Sequence, residues 1–135
     1  MAARGSSAER AALARAKARL DRLDFHPRPV STARTRIWHA PWLFRAPWFR
    51  RFDGYESCEQ IFLRRPLAEV SDDLICHELC HVWQEQHGRL RMWLSYLRGY
   101  RENPNEVEAR RAVALTRRPL PPLRPCPPEP TIPPR

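Results

Sequence analysis

Ser71-Asp72-Asp73-Leu74-Ile75-Cys76-His77-Glu78-Leu79-Cys80-His81-Val82-Trp83-Gln84-Glu85-Gln86-His87-Gly88 is the stretch that decides the reading of this chain. A serine ahead of two acids is a strong helix opening. Ser71 can cap free backbone N–H groups, and Asp72 and Asp73 sit where the helix dipole favours negative charge. Gly88 supplies a natural stop. The spacing predicts a helix over residues 74–87, with Leu74, Ile75, Leu79 and Val82 as its apolar complement. On such a helix His77 and His81 lie about 40° apart around the axis and one turn apart along it, so both imidazoles face the same way. Glu78 lies about 60° from His81, close enough to hydrogen-bond a water on an ion held by the histidines. The pattern His-Glu-x-x-His thus combines two nitrogen ligands with a carboxylate base. Neutral imidazole binds Zn2+ firmly, the ion lowers the pKa of water towards about 7, and the carboxylate takes that proton and passes it to a leaving amine. The bland alternative is a helix with two satisfied histidines and a surface glutamate.

A catalytic zinc needs a third protein ligand and one open position, and three residues compete for the role. His87 has the right distance in sequence, but Gln84 stands where a glycine would let the chain leave the helix. On a continuing helix His87 lies about 240° round from His81 and faces away. Glu106 and Glu108 follow in Asn105-Glu106-Val107-Glu108-Ala109. Asn103-x-x-Glu106 is also a capping-box pattern, in which Glu106 would serve only the helix end.

Working outward, Leu90, Trp93, Leu94 and Leu97 recur at helical spacing over residues 90–100. Asn103-Pro104 stops and restarts the chain, with Asn103 as cap and Pro104 at the first helical position of a helix that runs to about Thr116. Upstream, residues 32–39 and 55–64 read as strands, the second ended by Pro66 and preceded by the turn signal Asp53-Gly54. Between them Pro41-Trp42-Leu43-Phe44 and Pro47-Trp48-Phe49 form an aromatic loop, read as core beneath a loop rather than as a mobile flap. Ser6 and Ser7 open an amphipathic helix with Ala12, Ala16, Leu20 and Leu23 on one side. The expected organisation is an N-terminal arm or helix (1–24), one α+β domain (25–118) with a short antiparallel sheet of two or three strands, and a proline-rich disordered tail (119–135).

His77-Glu78-Leu79-Cys80-His81, followed by a helix that carries Glu106-x-x-Ala109, resembles the gluzincin zinc metallopeptidases and, in its small size, their minimal members, the minigluzincins. The resemblance covers roughly residues 55–114. It implies a small zincin-like domain, Zn2+ as cofactor, and His77, His81 and Glu106 as its ligands. It further implies Glu78 as catalytic base and acid, a peptide or protein as substrate, and a strand near residues 55–64 that pairs with an extended substrate. A tyrosine or histidine stabilises the oxyanion in the family, and Tyr96 and Tyr100 lie between the two motifs. Arg110 stands where the family often has Asp or Asn, so that position offers no acid to orient a histidine.

Composition sets the outer bounds. The 135 residues carry 24 basic and 15 acidic side chains, a formal charge of +9. The excess is arginine scattered along the chain, which favours solubility and weak attraction to polyanions over a specific nucleic-acid site. A basic nucleic-acid-associated protein with an incidental motif, and a catalytically silent zinc-binding interaction module, are the competing readings. No apolar run approaches the ~18 residues of a membrane span. With no apolar leader, the expected setting is the cytoplasm, with no membrane partner and with Cys58, Cys76, Cys80 and Cys126 reduced. Cys76 and Cys80 read as small buried hydrophobes. Cys126, in the tail, is a conceivable blocking ligand for the zinc.

Overall fold

The computed structural model describes residues 5–100 and 103–117. The expected tail and Cys126 lie outside the described residues. Four α-helices and a three-stranded sheet are present among them: α1 (Ser7–Leu20), β1 (Arg36–His39), β2 (Gly54–Ser57), β3 (Gln60–Leu63), α2 (Asp72–Gln86), α3 (Arg89–Ser95) and α4 (Pro104–Thr116). The protein is therefore a small α+β domain. No described helix is long and apolar enough to cross a membrane.

The helix ends form where the capping residues place them. The Ser6 hydroxyl accepts from Glu9 N–H, Ser71 from Leu74 N–H, and Asn103 from Asn105 N–H. Pro104 occupies the start of α4, where its missing donor costs nothing. Gly99, with φ of 111°, ends the short 3-10 turn Tyr96–Arg98 that follows α3. The single helix expected over 90–100 is thus a two-turn α-helix continued as a 3-10 turn.

α2 is the central element, buried around most of its circumference. One side packs Ile75, Leu79 and Val82 against Leu13, Ala16 and Leu20 of α1, Ile61 and Leu63 of β3, and Ala109, Ala112 and Val113 of α4. Each large side chain so buried contributes about 1.5–3 kcal/mol relative to exposure. α1 shares this core and is no separate arm. Buried Glu9 ties it to the sheet, accepting from Arg36 Nε at 2.7 Å and Ile37 N at 3.0 Å. Asp73, in α2, meets Arg19 of α1 at 2.8 Å and Arg117, the residue that follows α4, at 2.9 Å. Cys76 and Cys80 lie in the core without exposure, and burial pushes both thiols up.

The sheet corrects the antiparallel expectation. Its order is β1-β3-β2, with β1 parallel to β3 and β2 antiparallel to β3. The chain leaves β1 through the aromatic loop, crosses to the far edge to form β2, and returns as β3 in the middle. The one strand expected over 55–64 is accordingly a hairpin. Cys58 and Glu59 form its two-residue loop with φ of 52° and 64°. Such turns normally announce themselves by Asn-Gly or a similar pair; here Glu59 N–H is held instead by Glu56 Oε1 at 2.9 Å and Glu85 Oε2 at 3.1 Å. In the aromatic loop Phe44 is buried as expected, but Trp42 and Trp48 are 67% and 71% exposed. Those two are surface residues and not core.

Candidate metal centre and cleft

α2 and α4 cross so that their inward polar side chains meet beside the sheet. His77 and His81 come from successive turns of α2, and Glu106 from the first turn of α4. His77 Nε2 lies 3.1 Å from Glu106 Oε2, His81 Nε2 lies 2.9 Å from Glu106 Oε1, and the two Nε2 atoms are 3.2 Å apart. The three side chains form one group able to hold a metal ion. Glu106 is 3% exposed, so its carboxylate has left water for the histidines. Burial pushes its pKa up, and the hydrogen bonds and charge of His77 and His81 outweigh that and hold it well below the usual carboxylate range. The same contact raises His81 against the opposing effect of burial.

The other two candidates for third ligand go elsewhere. Glu108 Oε1 accepts from His26 Nε2 at 2.7 Å and from Gln84 Nε2 at 3.2 Å. His87 turns away from His81: its Nδ1 meets Trp83 O at 2.9 Å and its ring stacks on His26 at 5.0 Å. The capping-box alternative for Glu106 is not formed, since Asn103 caps alone and the Glu106 carboxylate faces the histidines.

Gln84 is the residue that sequence reasoning passed over. Its Oε1 meets His81 Nδ1 at 2.8 Å, and its Nε2 donates to Asn105 O at 2.9 Å and to Glu108. A carbonyl oxygen cannot donate, so the amide nitrogen must face Asn105 and the amide oxygen must face His81. His81 therefore carries a proton on Nδ1 and turns Nε2 towards Glu106. A lone pair and a carboxylate 2.9 Å apart require positive charge between them, either a proton or a cation. Tetrahedral zinc with ligands at about 2.0–2.2 Å separates neighbouring ligand atoms by about 3.4 Å, a few tenths more than the spacings found here. The residues fit such an ion. The spacing of Gln84, three residues after His81 on the same helix face, was the available signal.

The group opens on a cleft of about 280 Å³ between β2 and the segment that follows α3. Glu78 lies on its wall, 5% exposed. Burial raises its pKa, His81 and His77 oppose that rise, and Glu106 adds to it. Gly54 is needed here for close approach: a Cβ on it would stand 3.0 Å from Glu78 Oε1 and 3.2 Å from Glu78 Cγ. The opposite wall holds both predicted tyrosines. Tyr96 OH donates to Glu106 Oε1 at 3.0 Å, and Tyr100 stacks on Tyr96 at 6.4 Å and packs against Phe52 at 4.7 Å. Burial raises both phenols, with the Glu106 charge adding to it, so both stay protonated donors. Glu56 of β2 and Glu85 of α2 meet at the far end. Burial and the Glu85 carboxylate push Glu56 up to about 10, so one proton is shared there at neutral pH. Comparison with protein-family models, with curated proteins and with solved structures finds no match to this chain.

Proposed function

We propose that this chain is a zinc-dependent peptidase of gluzincin type, built on a minimal zincin-like domain. The observation that carries the reading is the convergence of His77, His81 and Glu106 from two helices beside a buried Glu78 on a cleft wall. His77 and His81 would hold the ion through Nε2 and Glu106 through its carboxylate. Zinc in that position supplies Lewis acidity that polarises a scissile carbonyl and lowers the pKa of water towards about 7.

The remaining work belongs to side chains of this chain. Glu78, raised by burial, accepts a proton from the attacking water on a side-chain oxygen and returns it to the leaving amine. Tyr96 and Tyr100 are the phenol donors available to a developing oxyanion. β2 is an edge of the sheet and lines the cleft, so its outer backbone groups can pair with an extended peptide substrate. Phe52, Met92 and the tyrosine rings exclude water from the walls.

Two measurements test this reading. Purified full-length chain should carry one zinc, and Glu78→Gln should keep it while cutting turnover of a peptide library by about 10²–10⁴. Stoichiometric zinc with no cleavage of any peptide would favour the silent interaction module. Absence of zinc binding in wild type would return the motif to coincidence.

A further inference from the structure

Four side chains run in series from the ligand set to the connection between α1 and β1. His81 Nδ1 meets Gln84 Oε1 at 2.8 Å, Gln84 Nε2 meets Glu108 Oε1 at 3.2 Å, and Glu108 Oε1 meets His26 Nε2 at 2.7 Å. We infer that Glu108, held by His26, is a positioning residue for the metal centre: it sets the orientation of the Gln84 amide and through it the tautomer of His81.

A glutamine amide turned over exchanges one acceptor for two donors at nearly the same positions. If Gln84 turned, its NH2 would face His81 Nδ1, which would then have to offer a lone pair. The ring proton would move to Nε2, the atom that faces Glu106. That tautomer cannot ligate through Nε2. Only acceptors on the far side of Gln84 forbid the turn. Asn105 O supplies one at 2.9 Å, and Glu108 supplies the other. His26 donates to the same Glu108 oxygen and keeps the carboxylate aimed at the amide. His26 is itself set by an edge-on contact with Trp83 at 4.8 Å and a stack on His87 at 5.0 Å. Arg28 O, two residues on, accepts from Trp83 Nε1 at 2.7 Å, so the connection that bears His26 is pinned to α2.

The inference rests on the zinc reading for its purpose, and its test separates the two. Zinc affinity of the full chain, by competition with a chromogenic chelator, should fall about 10-fold in Glu108→Ala and about 10–100-fold in Gln84→Ala. The double variant should be no worse than Gln84→Ala, because the effect of Glu108 passes through the amide. Independently of metal, long-range 1H–15N spectra of the zinc-free protein should show His81 Nδ1–H as a hydrogen-bonded, slowly exchanging proton in wild type, and that protection should be lost in Glu108→Ala. Thermal unfolding confirms that each variant is folded, and His26→Ala gives a second route to the same loss. Unchanged protection of His81 Nδ1–H in both Glu108→Ala and His26→Ala would overturn the inference, whether or not the protein binds zinc. So would a Glu108→Ala loss that simply adds to that of Gln84→Ala.

Discussion

Two groups of histidine and carboxylate stand on either side of Gln84, and they have opposite character. His77, His81 and Glu106 point their ring nitrogens and carboxylate oxygens at one another, with spacings of 2.9–3.2 Å. His26, His87 and Glu108 share the same chemistry but form no common point: His26 meets Glu108 at 2.7 Å, Glu108 also accepts from Gln84, and His87 turns to Trp83 O and stacks on His26. Residue type alone does not distinguish a metal centre from a packed polar cluster. What distinguishes them is whether the donor atoms converge on a common point.

The sharpest way to break this contrast is to remove one histidine from each side. His81→Ala should weaken zinc by more than the about 100-fold limit of an orienting partner, whereas His87→Ala should stay within about twofold. Chelator competition reads both. Equal losses would mean that the two groups do not differ as described.

A second comparison concerns stability. The packed side depends on Trp83, which is nearly unexposed and meets Phe25 and His26. Trp83→Ala should cost about 3–5 kcal/mol by urea unfolding. The ligand side should show the reverse, with stability rising on added zinc through preferential binding to the native state.

The smallest effect lies at the far end of the cleft. Glu56 keeps its proton in the folded state up to about 10 and releases it near the ordinary carboxylate range when unfolded. Between those limits the native state binds more protons, so this group's contribution falls as pH rises. Glu56→Gln removes the titration and keeps the oxygen that accepts from Glu59 N–H. Relative to wild type its stability should fall less as the pH rises from 6 to 9, by at most about 1.4 kcal/mol for each pH unit, read as a flatter dependence of Tm on pH.

How far the sequence announces all this varies with the physics involved. α2 and α4 were legible because Ser71, Asn103 and Pro104 act locally, and local caps speak in the sequence itself. His77, Glu78 and His81 were legible because helical spacing alone places them. Glu106 was legible against Glu108 only through a family resemblance, since both lie near the start of α4. The hairpin at Cys58-Glu59 was not legible: what holds that turn is a pair of carboxylates, one of them 26 residues away. The parallel pairing of β1 with β3 is likewise a matter of where a long connection goes. Gln84 was hidden for a third reason, because an orienting side chain is recognised by what it touches, and its partners come from α4.

The central claim is most directly tested by X-ray absorption at the zinc edge, on the full chain loaded with one equivalent of zinc and compared with Glu106→Gln. Two imidazole nitrogens and a carboxylate oxygen are expected at about 2.0–2.2 Å, with the carboxylate contribution lost or weakened in the variant. A wild-type spectrum with sulfur neighbours, or one identical to that of Glu106→Gln, would contradict it.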